Sequence, residues 1–120
     1  MPQRDPAVEA YLPLTPPVFH VLIALADGEK HGYAILKEVE ERTGAKVQLS
    51  TGTLYAIIKR LLNDGLIQEI DERPGQDDER RRYYALTSFG KKVASAEAER
   101  MQEMLEAARI KKLVRKPRTV

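Results

Sequence analysis

Residues 50–70 read Ser-Thr-Gly-Thr-Leu-Tyr-Ala-Ile-Ile-Lys-Arg-Leu-Leu-Asn-Asp-Gly-Leu-Ile-Gln-Glu-Ile. Leu54, Ile57, Ile58, Leu61 and Leu62 recur at the three- and four-residue steps of one helical face. Ser50 and Thr51 precede them, and hydroxyl residues there accept hydrogen bonds from the free amides of a first turn. Asp64-Gly65 closes the pattern, because glycine tolerates the left-handed conformation that ends many helices. The spacing predicts a helix over 50–64. Residues 66–70 and 80–86 have strand character, and Pro74-Gly75-Gln76-Asp77-Asp78 between them has the composition of a turn. A helix running into a β-hairpin with a long polar tip is therefore expected.

Upstream, Thr15-Pro16-Pro17 marks a helix start, since proline fits the first turn and threonine can cap it. Val18, Val21, Leu22, Leu25 and Ala26 give its buried face, and Asp27-Gly28 ends it. A second helix is predicted over 31–43, with Tyr33, Ile35, Leu36 and Val39 inward and Gly44 as its stop. Val47-Gln48-Leu49 alternates and predicts one brief strand. Residues 1–13 carry Pro2, Pro6 and Pro13 without apolar periodicity and read as a flexible arm. Downstream, Thr87-Ser88 cap a last helix reaching residue 113. Its Ala94, Ala98, Met101, Leu105 and Ala108 follow a 3.5-residue repeat, the seam of a helix paired with another.

The order is helix, helix, short strand, helix, two-stranded wing, long helix. The expected fold is mainly α with a small β-hairpin wing: a winged helix-turn-helix plus one long C-terminal dimerisation helix. The expected divisions are an arm over 1–13, a winged unit over 14–87, the dimerisation helix over 88–113 and a basic tail over 114–120.

The 120 residues suit one domain. There is no cysteine, which removes disulfides, thiolate metal sites and thiol nucleophiles, and points to a cytoplasmic setting. With two histidines, His20 and His31, a multi-histidine metal site is not expected. No apolar run approaches the roughly 20 residues of a membrane span, and the first residues do not read as a secretory signal. No phosphate loop, paired-acid constellation or His-Glu metal spacing is present, so neither an enzyme nor a cofactor is expected. The net charge is +2, but residues 109–118 hold six basic side chains and no acid. Outside that run 14 basic side chains face 18 acidic ones, a net of −4. Any case for nucleic acid must therefore come from local organisation rather than overall charge.

The third helix supplies that organisation. A helix start presents free amides suited to phosphate. Ser50, Thr51 and Thr53 add hydroxyls for phosphates or base edges, and Gly52 permits close backbone approach. Tyr55 and Lys59, four apart, share a side next to the core face. The competing reading makes Ser50-Thr51 plain caps and Tyr55 half-buried packing. In the wing, Arg80, Arg81 and Arg82, joined by Arg73 from the opposite strand, are candidates to grasp the DNA backbone. Alternatively, the arginines pair with Asp77, Asp78 and Glu79. Tyr33 is expected to pack between helices, and His20 to be a packed or interface histidine. For self-association the candidates are Ala94, Ala98, Met101, Leu105 and Ala108, with Phe19, Leu22 and Ile23 from the first helix.

Four pieces of sequence, in order, resemble the PadR-type transcriptional regulators. They are Leu14-Thr15-Pro16 through Leu25 with His31-Gly32-Tyr33-Ala34-Ile35; Gly52-Thr53-Leu54-Tyr55; Lys59-Arg60-Leu61 with Gly65-Leu66-Ile67; and Arg81-Arg82-Tyr83-Tyr84 with Leu86-Thr87 and Gly90. The likeness covers about residues 14–110. It implies a homodimeric repressor that binds double-stranded DNA, dimerises through its C-terminal helix and responds to a small-molecule effector. The single helix after the wing resembles the short-tailed branch of the family. There is no tryptophan, which some members use to stack flat ligands across the dimer centre. The alternative function is a protein–protein interaction module on the same scaffold, which the −4 outside the tail favours.

Overall fold

The computed structural model describes residues 5–70 and 82–115. Among these residues the order is α1 (Pro6–Glu9), α2 (Pro16–Ala24), β1 (Lys30–His31), α3 (Gly32–Arg42), α4 (Thr51–Asn63), β2 (Ile67–Ile70), β3 (Tyr83–Leu86) and α5 (Ser88–Ile110). The strands form an antiparallel sheet in the order β1-β3-β2, with Ile67 opposite Leu86, Ile70 opposite Tyr83, and His31 opposite Tyr83 from the other side. This is a winged helix-turn-helix followed by one long helix, as the periodicity predicts.

The core lies where α2, α3, α4, α5 and the sheet converge. Val21 and Leu22 of α2, Ile35 and Val39 of α3, Leu54, Ile58 and Leu61 of α4, Ile67, Tyr84 and Val93 are all buried. Each full-sized aliphatic side chain removed from water in this way contributes about 1.5–3 kcal/mol. Side-chain caps fix the helix starts. The Ser50 hydroxyl accepts from the Thr53 amide at 3.0 Å, and the Thr87 hydroxyl accepts from the Gly90 amide at 2.9 Å. Thr15 occupies the cap position of α2 without a side-chain bond. Pro16 and Pro17 have no N–H, so little is left there to cap.

Three expectations change. Residues 47–49 form no strand: the Thr43 hydroxyl takes the Val47 amide at 3.1 Å, bending the chain after Gly44 and Ala45, both at positive φ. The third strand is instead Lys30–His31, on the free edge of β3. The flexible arm also gives way, within its described part, to an anchored segment. Asp5 caps α1, Val8 is buried, and Tyr11 meets Phe89 edge-to-face at 5.8 Å. Finally, α5 ends at Ile110 rather than 113. Lys112 adopts the left-handed conformation, and the Leu113 amide turns back to the Ala108 carbonyl at 2.9 Å. No helix among the described residues is long and apolar enough to cross a membrane.

Candidate nucleic-acid interface

Helix α4 turns Leu54, Ile58 and Leu61 into the core and leaves Ser50, Thr51, Gly52, Thr53, Tyr55 and Lys59 exposed along one open side. The Ser50 hydroxyl is engaged twice, accepting from the Thr53 amide and donating to the Thr53 hydroxyl at 2.9 Å. The cap reading of Ser50 therefore holds, while Thr51 keeps its exposed position on the same turn. Gly52 is more telling. A Cβ placed there meets nothing within 4 Å, so the protein's own packing does not require glycine. In a first turn it forgoes a few tenths to 1 kcal/mol of helix propensity without internal compensation.

Tyr55 belongs to the same helix but leans back onto the fold. A Cβ built on Gly32 would lie 2.4 Å from the Tyr55 hydroxyl oxygen and 2.9 Å from Cζ. The ring therefore occupies the space that any other residue at 32 would fill. Lys59 is exposed on the following turn, and no carboxylate among the described residues pairs with it.

The start of α3 lies beside this side. The His31 Nδ1 accepts from the Ala34 amide at 3.2 Å, its ring stacks on Tyr33 at 6.5 Å, and it meets Tyr83 edge-on at 5.4 Å. Tyr33 is 65% exposed, with the Lys37 ammonium 5.9 Å from its ring centroid. This corrects the expectation that Tyr33 packs between helices. The second position of α3 turns outward because Ile35 and Val39 define its buried stripe.

In the wing, Arg82 is exposed, with its Nε 3.9 Å from a Glu69 carboxylate oxygen on β2. Arg73, Arg80 and Arg81 lie outside the described residues. Burial first, then Glu69 and Tyr55, push the Tyr84 hydroxyl above its ordinary value. His20 packs on α3: Arg42 donates to its Nδ1 at 2.8 Å and to its carbonyl at 3.1 Å. Among the described residues no group of three or more acids and histidines is placed to hold a metal.

A second surface lies on α5. Residues 101–107 are exposed all round, so the helix leaves the domain after Arg100. Met101, Leu105 and Met104 stand out at 37%, 44% and 55% exposure; the sequence seam omitted Met104. Ala108 is half-buried and Ala98 exposed. An apolar groove of about 230 Å³ runs between α2 and α5, lined by Phe19, Ile23, Ala26, Leu86, Ala94 and Ala98. Leu22 lies beneath it with no exposed surface. It forms the buried base of the groove. Helix α2 is apolar nearly all round, and Leu22 falls on the side that packs inward.

Comparisons with known proteins agree with this architecture. A profile of the transcriptional regulator PadR-like family matches residues 21–96. A transcriptional regulator of Mycobacterium tuberculosis is 34% identical over 85 residues, covering 71% of this chain and 75% of that protein. An uncharacterised 37.1 kDa transposon protein of Streptomyces fradiae is 36% identical over 84 residues, covering 70% of this chain and 22% of the longer protein. Among solved structures, a PadR family regulator of Clostridium difficile superposes with a TM-score of 0.68 at 26% identity, covering 77% of this chain and 93% of that one. Bacillus subtilis PadR, solved in complex with operator DNA, gives 0.56 at 26% identity, covering 88% of this chain and 52% of that one. The matched segment takes in α3, α4, the sheet and the first turns of α5, and the chain belongs to the PadR-like family of transcriptional regulators.

Proposed function

We propose that this protein is a homodimeric, sequence-specific DNA-binding regulator that represses by occluding promoter DNA. The observation that carries the reading is the bare first turn of α4. Thr51, Gly52 and Thr53 project from the domain, and Gly52 has no packing reason to be glycine. A missing side chain on an open helix face lets another surface approach the backbone. The start of a recognition helix is where base edges are met. Thr51 and Thr53 supply hydroxyls for those edges or for phosphate, Ser50 holds the turn in shape, and Lys59 meets phosphate about two turns further on. Arg82 at the wing base adds a backbone contact, with Arg73, Arg80 and Arg81 as further wing candidates. Bacillus subtilis PadR, which shares the fold, is in complex with operator DNA, and this supports the reading.

The dimer pairs the projecting half of α5 with the α2–α5 groove of a second copy. Met101, Met104 and Leu105 are apolar groups with nothing to cover them among the described residues, and Phe19 and Ile23 line the groove. A two-fold pair sets the two α4 helices on half-sites one or two DNA turns apart. A small-molecule effector stays within the proposal, and a rise in melting temperature with an added aromatic compound tests it.

The function is tested by fluorescence anisotropy with duplex DNA from upstream of the gene, across a salt series and against scrambled competitor. The expected result is binding that resists competitor at moderate salt. Weak binding that ignores sequence would overturn the reading in favour of a protein–protein module.

A further inference from the structure

Two sequence motifs, His31-Gly32-Tyr33 and Thr53-Leu54-Tyr55, stand far apart in the chain and meet in the fold. Gly32 opens α3 and is buried. Nothing about its helical role calls for glycine, and its missing Cβ is the space filled by the Tyr55 ring and hydroxyl. The residue just before it, His31, is paired with Tyr83 of β3, and Lys30 with Tyr84. Tyr55 thus rests where the start of α3 meets the strand that returns from the wing. A side chain planted in α4 and seated there ties together the three parts that must engage DNA at fixed angles: the recognition helix, the helix before it and the wing base.

We propose that Tyr55 is a positioning residue, seated in a cradle that only glycine at position 32 leaves open, and that this contact sets the angle of α4 relative to α3 and the wing. This rests on the reading of α4 as the recognition helix. It removes Tyr55 from the base-reading set and gives it a different role. Tyr55 is 46% exposed, which leaves its outer edge at the DNA-facing side while its hydroxyl end is seated over the α3 backbone.

The experiment uses the full chain and the duplex that the wild-type protein selects from a randomised pool, with Gly32→Ala, Tyr55→Phe, Tyr55→Ala and the Gly32→Ala/Tyr55→Phe double variant. Each is confirmed folded by circular dichroism before binding is read. Gly32→Ala pushes the ring from its seat, and Tyr55→Ala empties it. Both are expected to weaken binding to the selected duplex about tenfold, comparable to losing one base contact, with binding to scrambled duplex unchanged. Tyr55→Phe keeps the ring and should stay within about threefold of wild type. The double variant removes the closest clash but leaves the ring carbon Cζ 2.9 Å from the added Cβ, so it should recover part of the loss, a rescue that plain loss of stability would not give. Backbone amide spectra without DNA give a second readout. Gly32→Ala should displace signals along α4 and β3, and the double variant should return them toward wild type.

Tyr55→Phe as weak as Tyr55→Ala would overturn the proposal, because the hydroxyl would then be a direct DNA contact. Wild-type binding and unmoved amide signals in Gly32→Ala would also overturn it, showing the seat to be slack. A wild-type chain that selects no duplex defeats the functional reading instead, and the amide spectra then decide the positioning role alone.

Discussion

The Leu14 amide donates to Glu97 Oε2 at 2.9 Å, across 83 residues of sequence, and Glu97 has no exposed surface. Arg100, one turn on, binds the same carboxylate through Nε at 2.6 Å and Nη2 at 3.1 Å. The carboxylate in turn holds the Arg100 guanidinium charged, raising it above its ordinary value through that hydrogen bond. One buried acid thereby fixes the entry to α2 against the root of α5, just before α5 leaves the domain. Glu97→Ala strands the half-buried Leu14 amide and the Arg100 guanidinium and should cost about 3 kcal/mol of stability, read by urea unfolding. Glu97→Gln keeps an acceptor for Leu14 and should cost distinctly less. Equal losses in the two variants would show that the backbone bond contributes nothing.

Gly52→Ala separates folding from binding. The added methyl meets only open space, so helix propensity should raise stability by a few tenths to 1 kcal/mol. Affinity for the cognate duplex should fall, because the methyl stands where the DNA approaches. A stabilised protein with undiminished affinity would move the close approach away from Gly52.

Lys59→Ala should weaken binding to all duplexes alike. Loss of one phosphate contact flattens the slope of log affinity against log salt by about one. An unchanged slope removes Lys59 from the backbone contacts.

His20 gives a pH signature. Arg42 can only donate, so the His20 Nδ1 that meets it at 2.8 Å must accept, and the ring must be neutral there. Burial first, and then Arg42, lower its pKa in the folded protein. The unfolded chain therefore takes up the proton first as pH falls. The stability in question is fully present above the ordinary histidine value of about 6.5, is lost as pH falls from there to the lowered folded value, and levels off below it. Melting temperatures recorded from pH 8 to 5 should show this drop. His20→Gln, which keeps an acceptor without a titrating ring, should remove its share; an unaltered pH profile would place the effect elsewhere.

What the sequence made legible follows from how local each signal is. The boundaries of α4 rest on a strict apolar period and on Ser50, which caps it as a serine there should. β1 spans two residues and has no pattern to read; it exists because β3 offers an edge. Leu22, Phe19 and Ile23 share one helix that is apolar nearly all round, so periodicity alone could not show that Leu22 forms the buried base of the groove while Phe19 and Ile23 line its open part. Gly32 and Tyr55 were each visible as motif members. Their contact was not, because a missing Cβ gains meaning only once the ring that fills the space is placed.

The projecting half of α5 can be removed or altered without disturbing the core. Cutting the chain after Lys92 is a poor test of dimerisation, because it also removes buried Val93, Ala96 and Glu97 from the core. Cutting after Arg100 keeps them and deletes only the part of α5 that lies beyond the domain. Leu105→Asp is gentler still, since it places one charge on an exposed apolar side chain without touching the core. Both should convert a dimer to a monomer in sedimentation velocity, with the helical signal per residue of Leu105→Asp nearly unchanged. Desolvating that aspartate against a second helix is costly, whereas the isolated domain leaves it in water. The monomers should still bind a single half-site weakly, since α4 and the wing remain intact. Binding to the full duplex should fall much further, because the second half-site is then no longer held at high effective concentration. A dimer that survives both changes would place the interface away from the α5 seam.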